Sequence, residues 1–256
     1  MNYINIQHPY LRQIQLKRQQ VPTYNRYPFD LAVIRNLNTL DFHPKVTYIV
    51  GENGMGKSTL MESIAVAWGF NPEGGTINFS FSTQATHSSL YEYIQLIRGP
   101  RRPKDGFFFR AESYYNLATT IDELDSQPSF ARPIIESYGG KSLHEQSHGE
   151  SFFSTFIHRF GEKGLYILDE PEAALSPLRQ MAMLTRIHEL VLQNSQFIIA
   201  THSPILMAYP DSIIYNLKPD GIEVQVLEET DHYMIMKEFV NNKDRMLREL
   251  LEETQD

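Results

Sequence analysis

The chain has 256 residues, 41% of them hydrophobic, no cysteine, and a formal net charge of −8. This supplies one large core, or a core with a small lobe; it excludes disulfides and cysteine-ligated zinc, fits a reducing compartment, and argues against nonspecific nucleic-acid binding over the whole surface. No run approaches the length of a membrane span and Met1 to Tyr10 lacks the basic-then-apolar layout of a signal peptide, so a cytoplasmic protein is expected.

In chain order, Tyr10 to Lys17 alternates through Leu11, Ile14 and Leu16 and reads as an edge strand, too polar to be central. Val21 to Phe29 carries two prolines and the aromatics Tyr24, Tyr27 and Phe29. With Leu31 to Ile34 and Leu40 to Phe42 it reads as a loop and strands of an antiparallel lobe leading into the strand Val46 to Val50. An aromatic of this lobe can stack on a nucleobase, but packing of the lobe's own core is the more ordinary use.

The strand runs into Gly51-Glu52-Asn53-Gly54-Met55-Gly56-Lys57-Ser58-Thr59. An apolar run that breaks into glycines and then Gly-Lys-Ser suits a strand turning sharply into a helix whose first amides point at a phosphate chain. Lys57 is placed for the β- and γ-phosphates and the Ser58 hydroxyl for Mg²⁺. The helix continues from Ser58 to Trp68, with Leu60, Ile64 and Trp68 in one stripe and Gly69 as its stop.

Thr76 to Phe81, Leu90 to Ile97 and Phe107 to Arg110 read as strands. Between the last two, a turn-rich segment carries Arg98, Arg101, Arg102 and Lys104. It can contact a phosphate backbone or an acidic partner, or be a solvated loop tip, the more ordinary reading. Ser113 to Leu124 reads as a helix and Asp125 to Gly140 as a connection. Ser147-His148-Gly149-Glu150-Ser151 then opens a helix lined by Phe152, Phe153, Phe156, Ile157 and Phe160. Its capped N-terminus suits an anion, though an ordinary capped helix looks the same.

Gly164 to Glu170 is an apolar strand ending in two adjacent carboxylates. Asp169 is placed to hold Mg²⁺ or its water shell, and Glu170 to orient and deprotonate an attacking water. Ser176-Pro177 caps a helix lined by Leu178, Met181, Leu184, Ile187 and Val191; the strand Gln196 to Ala200 follows and ends in Thr201-His202-Ser203. Two parallel strands joined by one crossover helix end on the same side, so His202 is expected beside Asp169 and Glu170. Ser212 to Leu217 and Gly221 to Leu227 read as a strand pair, and Tyr233 to Val240 and Asp244 to Glu252 as helices.

Gly51-x4-Gly56-Lys57-Ser58, Ser147-x-Gly149-Glu150, Tyr166-Ile-Leu-Asp169-Glu170-Pro171 and Thr201-His202-Ser203, in that order, resemble the motif set of the ATP-binding-cassette (ABC) ATPase superfamily. More narrowly, the chain resembles small standalone bacterial ATPases of the AAA family related to the ATPase heads of chromosome-maintenance, recombination-repair and lysogeny-interference proteins. The resemblance spans about residues 10 to 220 and implies an α/β P-loop NTPase with a mixed central sheet, an N-terminal antiparallel β lobe and a small helical lobe. It divides one domain, 1–256, into a β lobe with the phosphate-binding strand (10–50), the P-loop and its helix (51–75), an insertion carrying the signature (76–160), a catalytic βαβ unit (161–220) and C-terminal strand and helices (221–256).

The resemblance implies an ATP-dependent homodimer that hydrolyses ATP with Mg²⁺; with no run of membrane-span length, no membrane contact is expected. Residues 51–59 would hold the nucleotide, Ser58 and Asp169 the metal, Glu170 would be the base with Lys57 and His202 at the γ-phosphate, and Ser147, His148, Gly149 and Glu150 would reach the partner's ATP in trans. This sequence departs from the pattern at His148, at Glu150 in place of glutamine, and at Leu175-Ser176, where aspartate is commoner. The metal-contacting glutamine has no clear equivalent; Arg110 to Glu112 is the expected position and Gln84 the alternative. No heptad run marks the coiled-coil arms of the chromosome-maintenance relatives. An ATP-gated clamp for nucleic acid or protein, a transporter cassette and a P-loop kinase are the competing readings, in that order.

Overall fold

Strands that are apolar along their whole length must be covered on both faces, and this requirement sets the architecture. In a computed structural model, which describes residues 8–77, 88–128 and 132–251, β3 (Val46–Val50), β6 (Gly164–Asp169) and β7 (Gln196–Ala200) are buried at every position. With β5 (Asp105–Arg110), β8 (Ser212–Lys218) and β9 (Gly221–Gln225) they form a six-stranded sheet in the order β5-β6-β7-β3-β8-β9, parallel except for β9.

Side chains alternate across the sheet into two cores. Leu165 and Ile167 of β6 join Ile49, Ile198 and Phe108 on one face, where α2 (Lys57–Trp68) lies between this sheet and a smaller antiparallel one. The smaller sheet has the order β2-β1-β4, built from Thr39–Asp41, Leu11–Leu16 and Ile94–Arg98. Tyr166 and Leu168 join Tyr48, Phe107 and Phe197 on the other face, under α3 (Tyr114–Ser126), α4 (His148–His158) and α5 (Pro177–Leu192). The short α1 (Ala32–Asn36) packs into the first core and α6 (Pro204–Met207) into the second; α7 (Asp231–Asn241) and α8 (Lys243–Leu251) follow β9.

Four local expectations change. Leu31 to Ile34 begins a helix rather than a strand, with Val33 and Ile34 adjacent and both buried, which a strand facing one core cannot do. β1 is the central strand of the small sheet, because its polar residues Gln13 and Gln15 face outward between two neighbours while Leu11, Ile14 and Leu16 face in. The apolar run from Leu90 starts as a 3-10 turn, Ser89–Tyr93, capped by the Ser88 hydroxyl, before β4 begins. Leu178 and Met181 are exposed, and the stripe that buries α5 is Met183, Ile187, Leu190 and Val191. Most of the expected strand from Thr76 to Phe81 lies outside the described residues.

One buried side chain ties the two sheets together. Gln196, fully buried at the start of β7, accepts hydrogen bonds from the Tyr10 and Leu11 amides (2.8 and 3.0 Å). It also donates to the carbonyls of Leu11 (2.9 Å) and His43 (3.0 Å). Gln196→Leu keeps the volume but orphans these four backbone groups, and is expected to cost roughly 2–4 kcal/mol. An unchanged urea midpoint at constant slope would refute the tie.

Candidate functional site

The turn after β3 depends on backbone conformations that side chains resist. Gly51 and Gly56 have φ of 136° and 93°. A Cβ on Gly51 would lie 2.6 Å from the Leu217 carbonyl oxygen, and one on Gly56 2.9 Å from Val33 Cγ1, so the loop is closed on both sides by packing. Lys57, 4% exposed, folds back so that Nζ donates to the carbonyls of Gly51 (2.7 Å) and Glu52 (3.1 Å). Burial lowers its pKa, opposed by Glu170, Asp169, Glu52 and Glu172 in turn.

Asp169 ends β6 level with Arg110 of β5 and Ala200 of β7. It is 4% exposed, and the Ser58 hydroxyl donates to its Oδ1 at 3.3 Å. Burial raises its pKa to about 7, although Ser58 and Arg110 pull it down. Glu170 turns away with φ of 52°, and its amide donates to the Ala200 carbonyl at 3.0 Å. A left-handed conformation in a residue with a Cβ costs about 1–2 kcal/mol, and this strain sits where the strand must aim a carboxylate into an open cleft. That cleft is lined by Tyr27, Gly54, Lys57, Ser58, Glu112 and Glu170 among others. The aromatics of the early lobe divide: Phe29 is buried and packs edge-on to Tyr93, while Tyr27 is exposed with its hydroxyl 3.2 Å from Thr59 Oγ1.

His202 comes up beside Glu170, its Nε2 3.5 Å from Oε1. Two residues that sequence reasoning missed hold it. Glu172 Oε1 accepts the His202 backbone N–H at 2.6 Å, and His232, at the start of α7, places Nε2 2.9 Å from His202 Nδ1. Burial raises the Glu172 pKa, and its Oε2 is buried without a hydrogen-bond partner. Glu172 had a signal, a third carboxylate after the strand, which reads as a surface charge. His232 had none, standing 30 residues away on a polar helix start.

The remaining predicted residues lie elsewhere. Ser147 precedes α4 and is exposed; its hydroxyl and amide both donate to Glu150 Oε2 (2.8 and 3.1 Å), which lowers the Glu150 pKa. A Cβ on Gly149 would sit 2.3 Å from the Ala174 carbonyl oxygen. Ser147, Gly149 and Glu150 are not among the residues that line the Lys57 cleft. Arg98 stacks on Trp68 at 4.4 Å and Lys104 faces Glu162 at 4.0 Å, while Arg101 and Arg102 are exposed. At the expected metal-contacting position Arg110 pairs with Glu62 and Glu112, and Gln84 lies outside the described residues.

Comparison with known proteins matches residues 29–148 to the family described as "AAA domain" and residues 150–208 to that described as "AAA domain, putative AbiEii toxin, Type IV TA system". An ABC transporter ATP-binding/permease protein of Mycobacterium tuberculosis is 26% identical over 69% of this chain, which spans 21% of that protein. A cobalt import ATP-binding protein of Salmonella typhi is 26% identical over 75% of this chain and 74% of its own length. An energy-coupling factor transporter ATP-binding protein of Staphylococcus aureus is 24% identical over 73% and 70%. Among solved structures, the head of a structural-maintenance-of-chromosomes protein bound to the C-winged helix domain of ScpA has a TM-score of 0.49 at 13% identity, covering 85% of this chain and 98% of that one. CbiO1 of Clostridium perfringens gives 0.49 at 17%, covering 94% and 99%. Among the described residues no helix is long and apolar enough to cross a membrane.

The raised pKa of Asp169 has a consequence for stability. The folded state holds this proton more tightly than the unfolded chain, so folding is penalised above pH 7 and the penalty fades as pH falls toward 4. In metal-free and nucleotide-free buffer at pH 8, Asp169→Asn is expected to stabilise the protein by on the order of 2 kcal/mol. The gain should shrink toward pH 5 in thermal unfolding; an equal or lower melting temperature for the variant at pH 8 contradicts the buried charge.

Proposed function

We propose that the chain is a P-loop ATPase of the ABC/AAA type, in line with its AAA-domain matches over residues 29–148 and 150–208, and that it hydrolyses ATP with Mg²⁺ at a site that a second copy of the chain completes. The observation that carries this reading is the meeting of Lys57, Ser58, Asp169, Glu170 and His202 at the ends of β3, β6 and β7. In it, the phosphate loop of residues 51–59 binds the triphosphate through its amides and Lys57. Glu170, aimed into the cleft by its strained backbone, accepts the proton of the attacking water. His202 donates beside it.

The residues fit a magnesium ion. Ser58 Oγ and Asp169 Oδ1 are hard oxygen donors 3.3 Å apart, and the Asp169 carboxylate is buried with its charge incompletely balanced. Bound there with the phosphates, the ion supplies charge neutralisation on the transferring phosphoryl group. Ser58 and Asp169 would hold it, and Lys57 would contribute its ammonium to the phosphate chain. A partner chain is favoured because Ser147 and Glu150 are exposed at the start of α4 and take no part in their own chain's cleft.

A second reading, a clamp on nucleic acid or an acidic protein, rests on the exposed Arg101 and Arg102 alone, since Arg98 and Lys104 have partners within the chain. The relatives named as transporter proteins make a transporter subunit the third, and co-purification with a membrane protein would favour it.

Glu170→Gln is expected to bind ATP with near-native affinity, release phosphate about 10²–10⁴-fold more slowly, and run as a dimer in light scattering with Mg-ATP. Lys57→Ala should lose nucleotide binding and ATP-dependent association together. An undiminished rate in Glu170→Gln removes that carboxylate as the base, and a Lys57→Ala protein that still dimerises on ATP addition contradicts the shared site.

A further inference from the structure

We propose that His232 is a positioning residue that places the side-chain proton of His202 on Nε2, so that this nitrogen donates toward Glu170 and the γ-phosphate. The proposal rests on the ATPase reading of the cleft and adds to it a residue from the C-terminal helix.

For a neutral His202 ring the geometry allows one arrangement of protons. His202 Nε2 faces the Glu170 carboxylate at 3.5 Å, and His202 Nδ1 faces His232 Nε2 at 2.9 Å. An imidazole nitrogen that presents a lone pair to a carboxylate is repelled by it, so Nε2 must carry hydrogen. A neutral imidazole carries only one. Nδ1 is then bare, and the short contact exists only if His232 Nε2–H is the donor. The ring is held neutral because burial, then Lys57 and then His232, lower its pKa, while Glu170 and Glu52 oppose them. These groups face it from every side: Lys57 from α2, Glu52 from the phosphate loop, Glu170 from the end of β6 and His232 from α7.

Three further observations fit this role. His202 Nε2 is buried and has no hydrogen-bond partner; at 3.5 Å the Glu170 contact is too long to satisfy it, so the donor is available to a phosphate oxygen. The His202 backbone is pinned by Glu172, which leaves ring rotation and tautomer as the freedoms His232 must remove. His232 is itself fixed, because Thr230, 1% exposed, donates to the Leu227 carbonyl at 2.7 Å and accepts from the Tyr233 amide at 3.4 Å. It also lines a cavity of about 290 Å³ with Gly51, Glu52 and Met55, which leaves room for a side chain of different shape. The logic is that of a histidine whose working nitrogen is decided by the hydrogen bond its other nitrogen makes.

The test is histidine ring ¹⁵N NMR on the full chain without nucleotide, combined with steady-state phosphate release. At pH 8 the wild-type His202 ring should show the Nε2–H tautomer; an Nδ1–H ring overturns the proposal whether or not the protein turns over. His232→Ala should release the tautomer preference and lower kcat about 10- to 100-fold with KM within about twofold. His232→Gln puts an amide N–H near the position of Nε2 and should restore kcat to within about threefold of wild type. Wild-type turnover in His232→Ala, or a loss in His232→Gln as deep as in His232→Ala, overturns it. If the wild type released no phosphate, the ATPase reading would fail while the tautomer measurement still decided this one.

Discussion

The burial of Lys57 beneath its own loop, against an excess of carboxylates, is the constraint on which the site depends. Around the cleft stand Glu52, Glu112, Asp169, Glu170 and Glu172, with Lys57 and Arg110 as the cations. Arg110 is committed to Glu62 and Glu112. A triphosphate arriving alone would meet Glu52, Glu170 and the ionised fraction of Asp169 and Glu172 against Lys57, and at about 4 Å a pair of unit charges is worth about 4 kcal/mol at an effective dielectric of 20. A divalent cation would offset that excess, so the proposed magnesium would serve this cleft electrostatically as well as catalytically. Lys57 meanwhile donates two of its three ammonium protons to the Gly51 and Glu52 carbonyls, which ties the loop to its side chain and leaves one donor for a phosphate.

The sheet makes this concentration of charge tolerable. Because β5, β6 and β7 are parallel and in register, Arg110, Asp169 and Ala200 end level, and the chain beyond each is free to leave the sheet without exposing the core. The strain at Glu170 is the local cost of turning a side chain out of that edge. It is over-determined by its surroundings: the Glu170 amide bonds to Ala200, its carbonyl accepts from Ala173, and Glu172 reaches across to the His202 amide. The two strand ends are thus stitched into one unit, and the relative placement of Glu170 and His202 follows from the backbone rather than from their own contact.

Much of this was legible in the sequence, for a physical reason in each case. The phosphate loop, the strand that ends in Asp169-Glu170 and the helix capped by Ser176 are local patterns in which hydrophobic period and turn chemistry agree. The fold class came from the resemblance that those motifs carry, and strands apolar along their whole length agree with it, since a parallel sheet is covered on both faces. What was not legible depended on distance or on the partner of a face. Leu31 to Ile34 could not be told from a strand by four apolar residues. The buried stripe of α5 begins at Met183 because its first turn projects past the core, and the edge assignment of β1 failed because two polar faces look alike whether a neighbour is present or not. Glu172 and His232 escaped because their importance lies in where His202 stands, which no spacing along the chain reports.

The signature segment shows how a motif residue can have two explanations. Gly149 is the position at which the resemblance expects a contact to the partner's nucleotide, yet its missing side chain is already required within its own chain, where a Cβ would fall 2.3 Å from the Ala174 carbonyl. That contact seats the start of α4 on the turn that follows Glu170 and Glu172. The glycine therefore says little for or against a second chain; its presence would be selected by packing alone. The weight of the dimer proposal falls instead on Ser147 and Glu150, which are exposed, bonded to each other, and held at a helix start where Arg179, 3.8 Å from Glu150, and Lys141 are the neighbouring cations among the described residues. An internally satisfied pair must exchange its bond for one to phosphate if it is to act in trans, so association and the rearrangement of that pair would be one event.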